Sequence, residues 1–193
     1  GVTLAAPAVV VSSILGWQYS LTVFVLLFKK RADVFALWRN SLAAMTALAI
    51  MGLSSVGHLP SDPSPEGKAV AKALQFMLDF MEPDSETKDT IGYLGRGDRS
   101  RMYGHGICTL ALTEMLGMGV DKSQDAQIRE RCQKAIDLIL RSQRVRKYDR
   151  RYDGGWRYTP DSPDSDLSIT IWQLLALRSG KHAGLAVPKE SID

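Results

Sequence analysis

"YGHGICTLALTEMLGMG" (Tyr103–Gly119) is followed, 63 residues on, by "DLSITIWQLLALRSGKH" (Asp166–His182). One period earlier stands "NSLAAMTALAIMGLSSVG" (Asn40–Gly57). Three copies of one apolar segment in near-constant register set the reading of the chain, because a fixed period of this length marks a repeat architecture. A second element recurs between the copies. "AKALQFML" (Ala71–Leu78) resembles "QKAIDLIL" (Gln133–Leu140), and Gly92-Tyr93 returns as Gly155-Trp156.

The two elements differ in pattern. Segments near 41–56, 102–117 and 167–179 are apolar almost all round, and such a helix is expected to be buried on every side. Segments near 65–82 and 122–143 are amphipathic. In the second, Ile128, Cys132, Ala135, Ile136, Ile139 and Leu140 keep helical spacing, while Arg129, Glu130, Arg131, Lys134 and Asp137 fill the other face. Ser64-Pro65 reads as an N-cap followed by a first-turn proline, and Pro83 lies past the other end. Asn40, Gly117 and Gly180 are the expected caps of the apolar set, and His58 a cation at a helix C-terminus. No segment alternates long enough to make a strand. The expected fold is all-α: an inner layer of apolar helices backed by an outer amphipathic layer, stacked as helical hairpins into a curved solenoid or ring. A ligand would sit inside the curve.

Composition sets the outer bounds. The 193 residues, 45% hydrophobic and 23% charged, suffice for one domain with a sizeable core, with or without an appendage. A net charge of +3 argues for no nucleic-acid partner. Two cysteines, Cys108 and Cys132, do not make the framework of a secreted disulfide scaffold; they read as core residues, with one disulfide between them left open. "LAAPAVVVSSILGWQYSLTVFVLLF" (Leu4–Phe28) carries no charge and runs into Lys29-Lys30-Arg31. Two readings fit it: a membrane anchor flanked by Trp17, Tyr19 and the basic triplet, or a buried helix pair bending near Gly16-Trp17. Without a basic start it is not read as a cleaved signal. The chain does not open on methionine, which reads as a piece of a longer protein. The expected division is thus a hydrophobic segment over 1–31, anchoring to a membrane whose side is open, and a repeat domain over 32–193.

"AIDLILRSQ" (Ala135–Gln143) followed by "DGGW" (Asp153–Trp156) resembles the QW repeat of squalene and oxidosqualene cyclases. "DSDLSITIWQLLALRSGKHAG" (Asp164–Gly184) resembles the helix after such a repeat. The resemblance, to the prenyltransferase and squalene-oxidase repeat family, covers roughly 40–188 and implies an α/α toroid, here a partial ring. Three features depart from the family pattern. "RVRKYDRRYD" (Arg144–Asp153) lengthens the repeat, Tyr93 replaces the tryptophan in the earlier copy, and "LDFME" (Leu78–Glu82) lacks the glutamine.

The resemblance brings two chemistries to weigh. Class II terpene cyclases protonate an alkene or epoxide with D-x-D-D. Asp164-Ser165-Asp166-Leu167 is the nearest match, with Asp166 as acid, Asp164 as its partner, and leucine where the last aspartate belongs. Standing just before a helix, Asp166 reads first as an N-cap. Protein prenyltransferases hold zinc with Asp-x-Cys; Asp166-Leu167-Ser168 offers serine for the thiolate and His182 stands in the wrong place, so no metal is expected. His105, Tyr103, Trp172 and Trp156 are the candidate ligand-binding residues, with Met45 as further apolar lining. Each also reads as a structural residue: His105 hydrogen-bonded, the aromatics in the core, Trp156 at a recurrent Gly-Gly corner. "GRGDRSR" (Gly95–Arg101) and "RVRKYDRR" (Arg144–Arg151) are basic inter-helix loops, read as solvated charge or as a rim for diphosphate, an acidic partner or anionic lipid. No phosphate loop, dinucleotide fingerprint, HExxH or C-x-x-C occurs. The expected function is a non-catalytic repeat domain binding an isoprenoid, other lipid, peptide or protein on a concave apolar face, without a cofactor. A squalene-type cyclase or prenyltransferase-like enzyme is the alternative.

Overall fold

The structure is a computed structural model and describes residues 42–80, 91–94 and 100–192. The Leu4–Phe28 segment, Asn40, Pro83 and residues 95–99 of the first basic loop lie outside them. The described residues are all helical, without a strand: α1 (Leu42–Ser55), α2 (Pro65–Phe80), α3 (Arg101–Glu114), α4 (Lys122–Gln143) and α5 (Leu167–His182), with 3-10 turns at Arg150–Tyr152 and Lys189–Ser191. Among them no helix is long and apolar enough to cross a membrane.

The ends follow from local chemistry. Ser64 caps α2, its Oγ accepting the Gly67 N–H at 3.0 Å, and Pro65 takes the first helical position. Asp121 caps α4 by accepting the Gln124 N–H at 2.8 Å. At the end of α1, Gly57 N–H donates to Ser54 O and His58 N–H to Leu53 O; His58 itself faces Asp62 at 3.5 Å. The same pair of bonds closes α5, from Gly184 to Lys181 and from Leu185 to Gly180. The cap glycine of α5 is therefore Gly184. Gly180, expected there from sequence, lies inside the helix, where an added Cβ would stand 3.1 Å from Ile136.

α1, α3 and α5 pack side by side in that order. α2 packs on α1 and touches α4, and α4 packs on α3 and α5. α3, flanked on both sides, is buried almost all round, as expected of an apolar helix. Among the described residues α1 and α5 have an inner neighbour on one side only, and each buries a single stripe, which corrects the expectation for those two. Cys108 and Cys132 are buried and are not joined to each other, so the disulfide left open by the sequence is not made. Burial pushes the Cys132 thiol up to about 12, which keeps it protonated and unreactive.

Buried positions reveal the register. Val70, Leu74, Met77 and Leu78 of α2 correspond to Cys132, Ile136, Ile139 and Leu140 of α4, a shift of 62. Ala43, Ala47 and Ile50 of α1 match Gly104, Cys108 and Ala111 of α3 at 61, and Gly104, Cys108 and Leu112 match Ile169, Gln173 and Leu177 of α5 at 65. A single period of 63 is thus the average of three shifts. It misplaces equivalences by up to two residues, half a turn of helix, which exchanges buried for exposed positions.

The corner shows the effect. Gly92 and Gly154 both have positive φ, at 85° and 76°, where a side chain is strained. Counting from them, the partner of Trp156 is Leu94 and not Tyr93. Leu94 N–H donates to His105 Nδ1 at 3.2 Å, and Trp156 N–H donates to Thr170 Oγ1 at 3.1 Å. His105 and Thr170 are themselves equivalent at the α3–α5 shift of 65. Both corners therefore lock onto the next inner helix through one backbone amide.

Candidate functional site

The sequence candidates fall into two groups with different surroundings. The first sits at the entrance of α5. Asp166 is its N-cap: Oδ1 accepts the N–H of Ser168 at 3.0 Å and of Ile169 at 3.2 Å, and the Ser168 hydroxyl at 2.5 Å. The Ser168 hydroxyl and these amides, with Arg157 more weakly, hold its carboxyl below the usual carboxylate range. Asp164 pairs with Arg157 at 3.0 Å. Tyr103, in the first turn of α3, hydrogen-bonds Ser168 through its hydroxyl and lies 6.4 Å from the Tyr158 ring. Trp172 follows on α5, half-buried against α3 where Gly106 leaves no room for a Cβ. Tyr103, Ser168 and Asp166 thus share one hydrogen-bonded string.

At pH 7 that string holds a carboxylate with three donors aimed at it. A group so arranged accepts protons poorly and has none to give, so its chemistry is that of a cap. Asp166→Ala is expected to lower the melting temperature by roughly 2–4 °C, as loss of one helix cap does in a chain of this size. Asp166→Asn, which keeps an acceptor, should melt within about 1 °C of the parent. A thermal scan of the three proteins checks this.

The second group is internal. His105 is fully buried; Nε2–H donates to the Ala135 carbonyl at 3.1 Å while Nδ1 accepts from Leu94. Both ring nitrogens are used, and burial pulls its pKa down to about 4, with Arg141 adding a smaller push in the same direction. Trp156 is also buried, its indole N–H donating to the Ile139 carbonyl at 2.9 Å. The two side chains contact α4 one turn apart and tie it to the rest of the core.

Two further surfaces emerge. One is apolar. Leu167 is 77% exposed, and Ile171 and Leu175, at successive turns of the same α5 stripe, are 47% and 43% exposed. On α1, Met45 and Leu48 are 43% and 42% exposed, and Val56 follows beyond its end. α1 contains no charged residue, so its exposed stripe is as apolar as its buried one. The absence of charge over 42–55 was the available sign.

The other surface is basic. Residues 144–153 leave the end of α4 and return to the corner, where Gln143 Nε2 donates to the Gly154 carbonyl at 3.2 Å. The excursion is firmly seated. Tyr148 N–H donates to the Pro163 carbonyl at 3.0 Å and Lys147 Nζ to the Ser162 carbonyl at 2.8 Å. Arg151 makes a two-point contact with Asp149, at 3.1 and 2.9 Å, and Tyr148 stacks edge-on against Tyr152. A hollow of about 410 Å³ opens here, lined by Arg144, Arg146, Lys147 and Arg150 with Asp153 as its one acid. Among the described residues no group of three or more His, Cys, Asp or Glu side chains could hold a metal ion.

Comparison with protein-family models, with curated proteins and with solved structures found no match for this chain.

Proposed function

We propose that the chain is a non-catalytic helical-repeat domain of the squalene-cyclase-like toroid type. It binds an isoprenoid or other lipid, or an apolar peptide segment of a partner, on the concave face of its inner helices. One observation carries this: the two helices flanking α3 turn apolar stripes, Met45 and Leu48 on α1 and Leu167, Ile171 and Leu175 on α5, to solvent. An exposed apolar stripe carried over successive turns, as Leu167, Ile171 and Leu175 are on α5, marks an interaction site. The α1–α3–α5 and α2–α4 layering and the bond from Gln143 to the Gly-Gly-Trp corner support the toroid-type reading. The Leu4–Phe28 segment serves as the membrane anchor in this reading and would bring the face close to its ligand.

Extraction of the purified protein and mass spectrometry should find a bound lipid or isoprenoid, or a co-purifying peptide. Leu48→Glu with Ile171→Glu should remove it while circular dichroism stays unchanged, because both sites are already wet. Purification free of any apolar ligand, in lipid-containing and lipid-free preparations alike, would sink the proposal. The cyclase alternative has Asp166 as proton donor; its ionised, hydrogen-bonded state makes that reading the weaker one. Turnover of squalene or a prenyl diphosphate that stops in Asp166→Asn would reverse the order.

A further inference from the structure

The excursion over 144–153 does more than join α4 to the corner. Two of the acids near it are spoken for. Asp149 is held by Arg151, and Asp164, on the neighbouring strand of loop, by Arg157. Arg144, Arg146 and Arg150 make no ion pair or side-chain hydrogen bond among the described residues, and all three line the hollow with Lys147. Against these four cations stand Asp153 and, acting on Lys147 from its pair with Arg157, Asp164. A cation near the end of α4 is accounted for by the helix dipole, and Arg141 already meets that need while donating to the Ile91 carbonyl. The dipole acts within the last turn and gives no reason for four more cations in the seven residues from 144 to 150. Unbalanced like charges so close repel one another, which weakens the fold unless an anion joins them.

Geometry favours a particular class of anion. The segment that carries the arginines is held by the Tyr148 amide on Pro163 and by the Lys147 and Gln143 side chains on Ser162 and Gly154, so little freedom is lost on binding. The hollow, about 410 Å³, lies within the range of small-molecule sites. Guanidinium groups present paired donors that match phosphoryl oxygens better than a lone carboxylate, and several together suit a group with more than one negative charge. We propose that this hollow is a binding site for a phosphate-class polyanion, a diphosphate or a phosphorylated headgroup, held by Arg144, Arg146 and Arg150 with Lys147 adding charge from the wall. None of these residues belongs to α1 or α5, so the proposal stands apart from the apolar face.

The test uses the full chain and inorganic pyrophosphate in titration calorimetry, with sedimentation on phosphatidylglycerol and phosphatidylcholine vesicles alongside. The parent should bind pyrophosphate, or bind anionic vesicles more tightly than neutral ones, and that binding should weaken as salt rises. The triple variant Arg144→Gln, Arg146→Gln, Arg150→Gln should bind at least roughly tenfold more weakly, about 1.4 kcal/mol. Arg129→Gln, an exposed change on α4 away from the hollow, should bind as the parent does. Circular dichroism and a thermal scan establish that the triple variant is folded, and Arg150→Gln alone serves if it is not. Loss of pyrophosphate binding in the variant assigns a soluble phosphate compound; loss of vesicle binding alone assigns a lipid headgroup. Failure of the parent to bind either, a variant equal to the parent, or an equal loss in Arg129→Gln would overturn the proposal.

Discussion

Trp156→Ala is expected to destabilise the protein by about 3–5 kcal/mol, the range for removing a large aromatic side chain from a core. That is much of the roughly 5–15 kcal/mol that holds a typical domain together. The ring is 1% exposed, and it is anchored from two sides. Its backbone is held at both ends, the amide on Thr170 and the carbonyl accepting Asp166 N–H at 2.8 Å, so the loop cannot easily collapse into the space left behind. Its indole N–H reaches a carbonyl of α4, so the mutation also frees α4 from the entrance of α5. Trp156→Phe keeps most of the apolar bulk and loses the N–H bond, at about 1 kcal/mol for that bond with a smaller packing loss added. Urea denaturation followed by far-ultraviolet circular dichroism separates the two. A loss under about 1 kcal/mol in Trp156→Ala would mean that the ring is not a core residue.

The second large effect depends on pH. His105 has a folded pKa of about 4 against an ordinary value of 6.5, because burial seals it from water and outweighs the opposing bond to the Ala135 carbonyl. Above 6.5 the ring is neutral folded or unfolded and contributes no pH dependence. Between 6.5 and 4 the unfolded chain takes up a proton that the folded chain refuses, so stability falls as pH falls. The total is on the order of 3 kcal/mol, from a difference of about 2.5 between the two values at 1.36 kcal/mol for each. Asp62, Asp149 and Asp166, whose carboxyls are held low, lose their contributions at the acid end of this window and below. Those losses also occur in His105→Gln, so the difference between parent and variant isolates the imidazole. His105→Gln should be less stable at pH 7 by about 1–3 kcal/mol, and the gap should close as the pH approaches 4. Equal slopes in the two proteins would contradict a buried neutral ring. Proton NMR should show no His105 titration from pH 5 to 8.

Helix identity and order were legible because they rest on hydrophobic period and on caps, which are local. The start of α2 follows from Ser64-Pro65, and Asp166 could be read as a cap from its place before "LSIT"; Asp121, the cap of α4, was not singled out. The cap of α5 was misplaced by four residues because Gly180 and Gly184 both look like stops, and the helix runs through the first, which lies close against Ile136 and Leu185. The equivalence of Tyr93 and Trp156 drew on aromatic likeness. The backbone instead pairs Leu94 with Trp156, since register is set by which amide reaches the next helix. His105 could be suspected of a structural role but not given partners, because Ala135 lies 30 residues away. The exposed stripes on α1 and α5 were read as buried, since an apolar helix declares its preference for company and not how many neighbours it has. The charge of residues 144–151 was plain in sequence. Its concentration round one hollow was not, because that depends on Asp149 and Asp164 being taken up elsewhere.

The bond from Gln143 to Gly154 closes a ten-residue excursion at its base, where α4 meets the corner before α5. Lengthening a closed loop is cheap, about 0.6 kcal/mol for each doubling. Loop variants are therefore free to drift in length and charge while the hairpins stay as they are. Insertion or exchange of a few arginines at this corner leaves the buried positions of the hairpins untouched, which makes residues 144–153 a natural place to graft a foreign peptide.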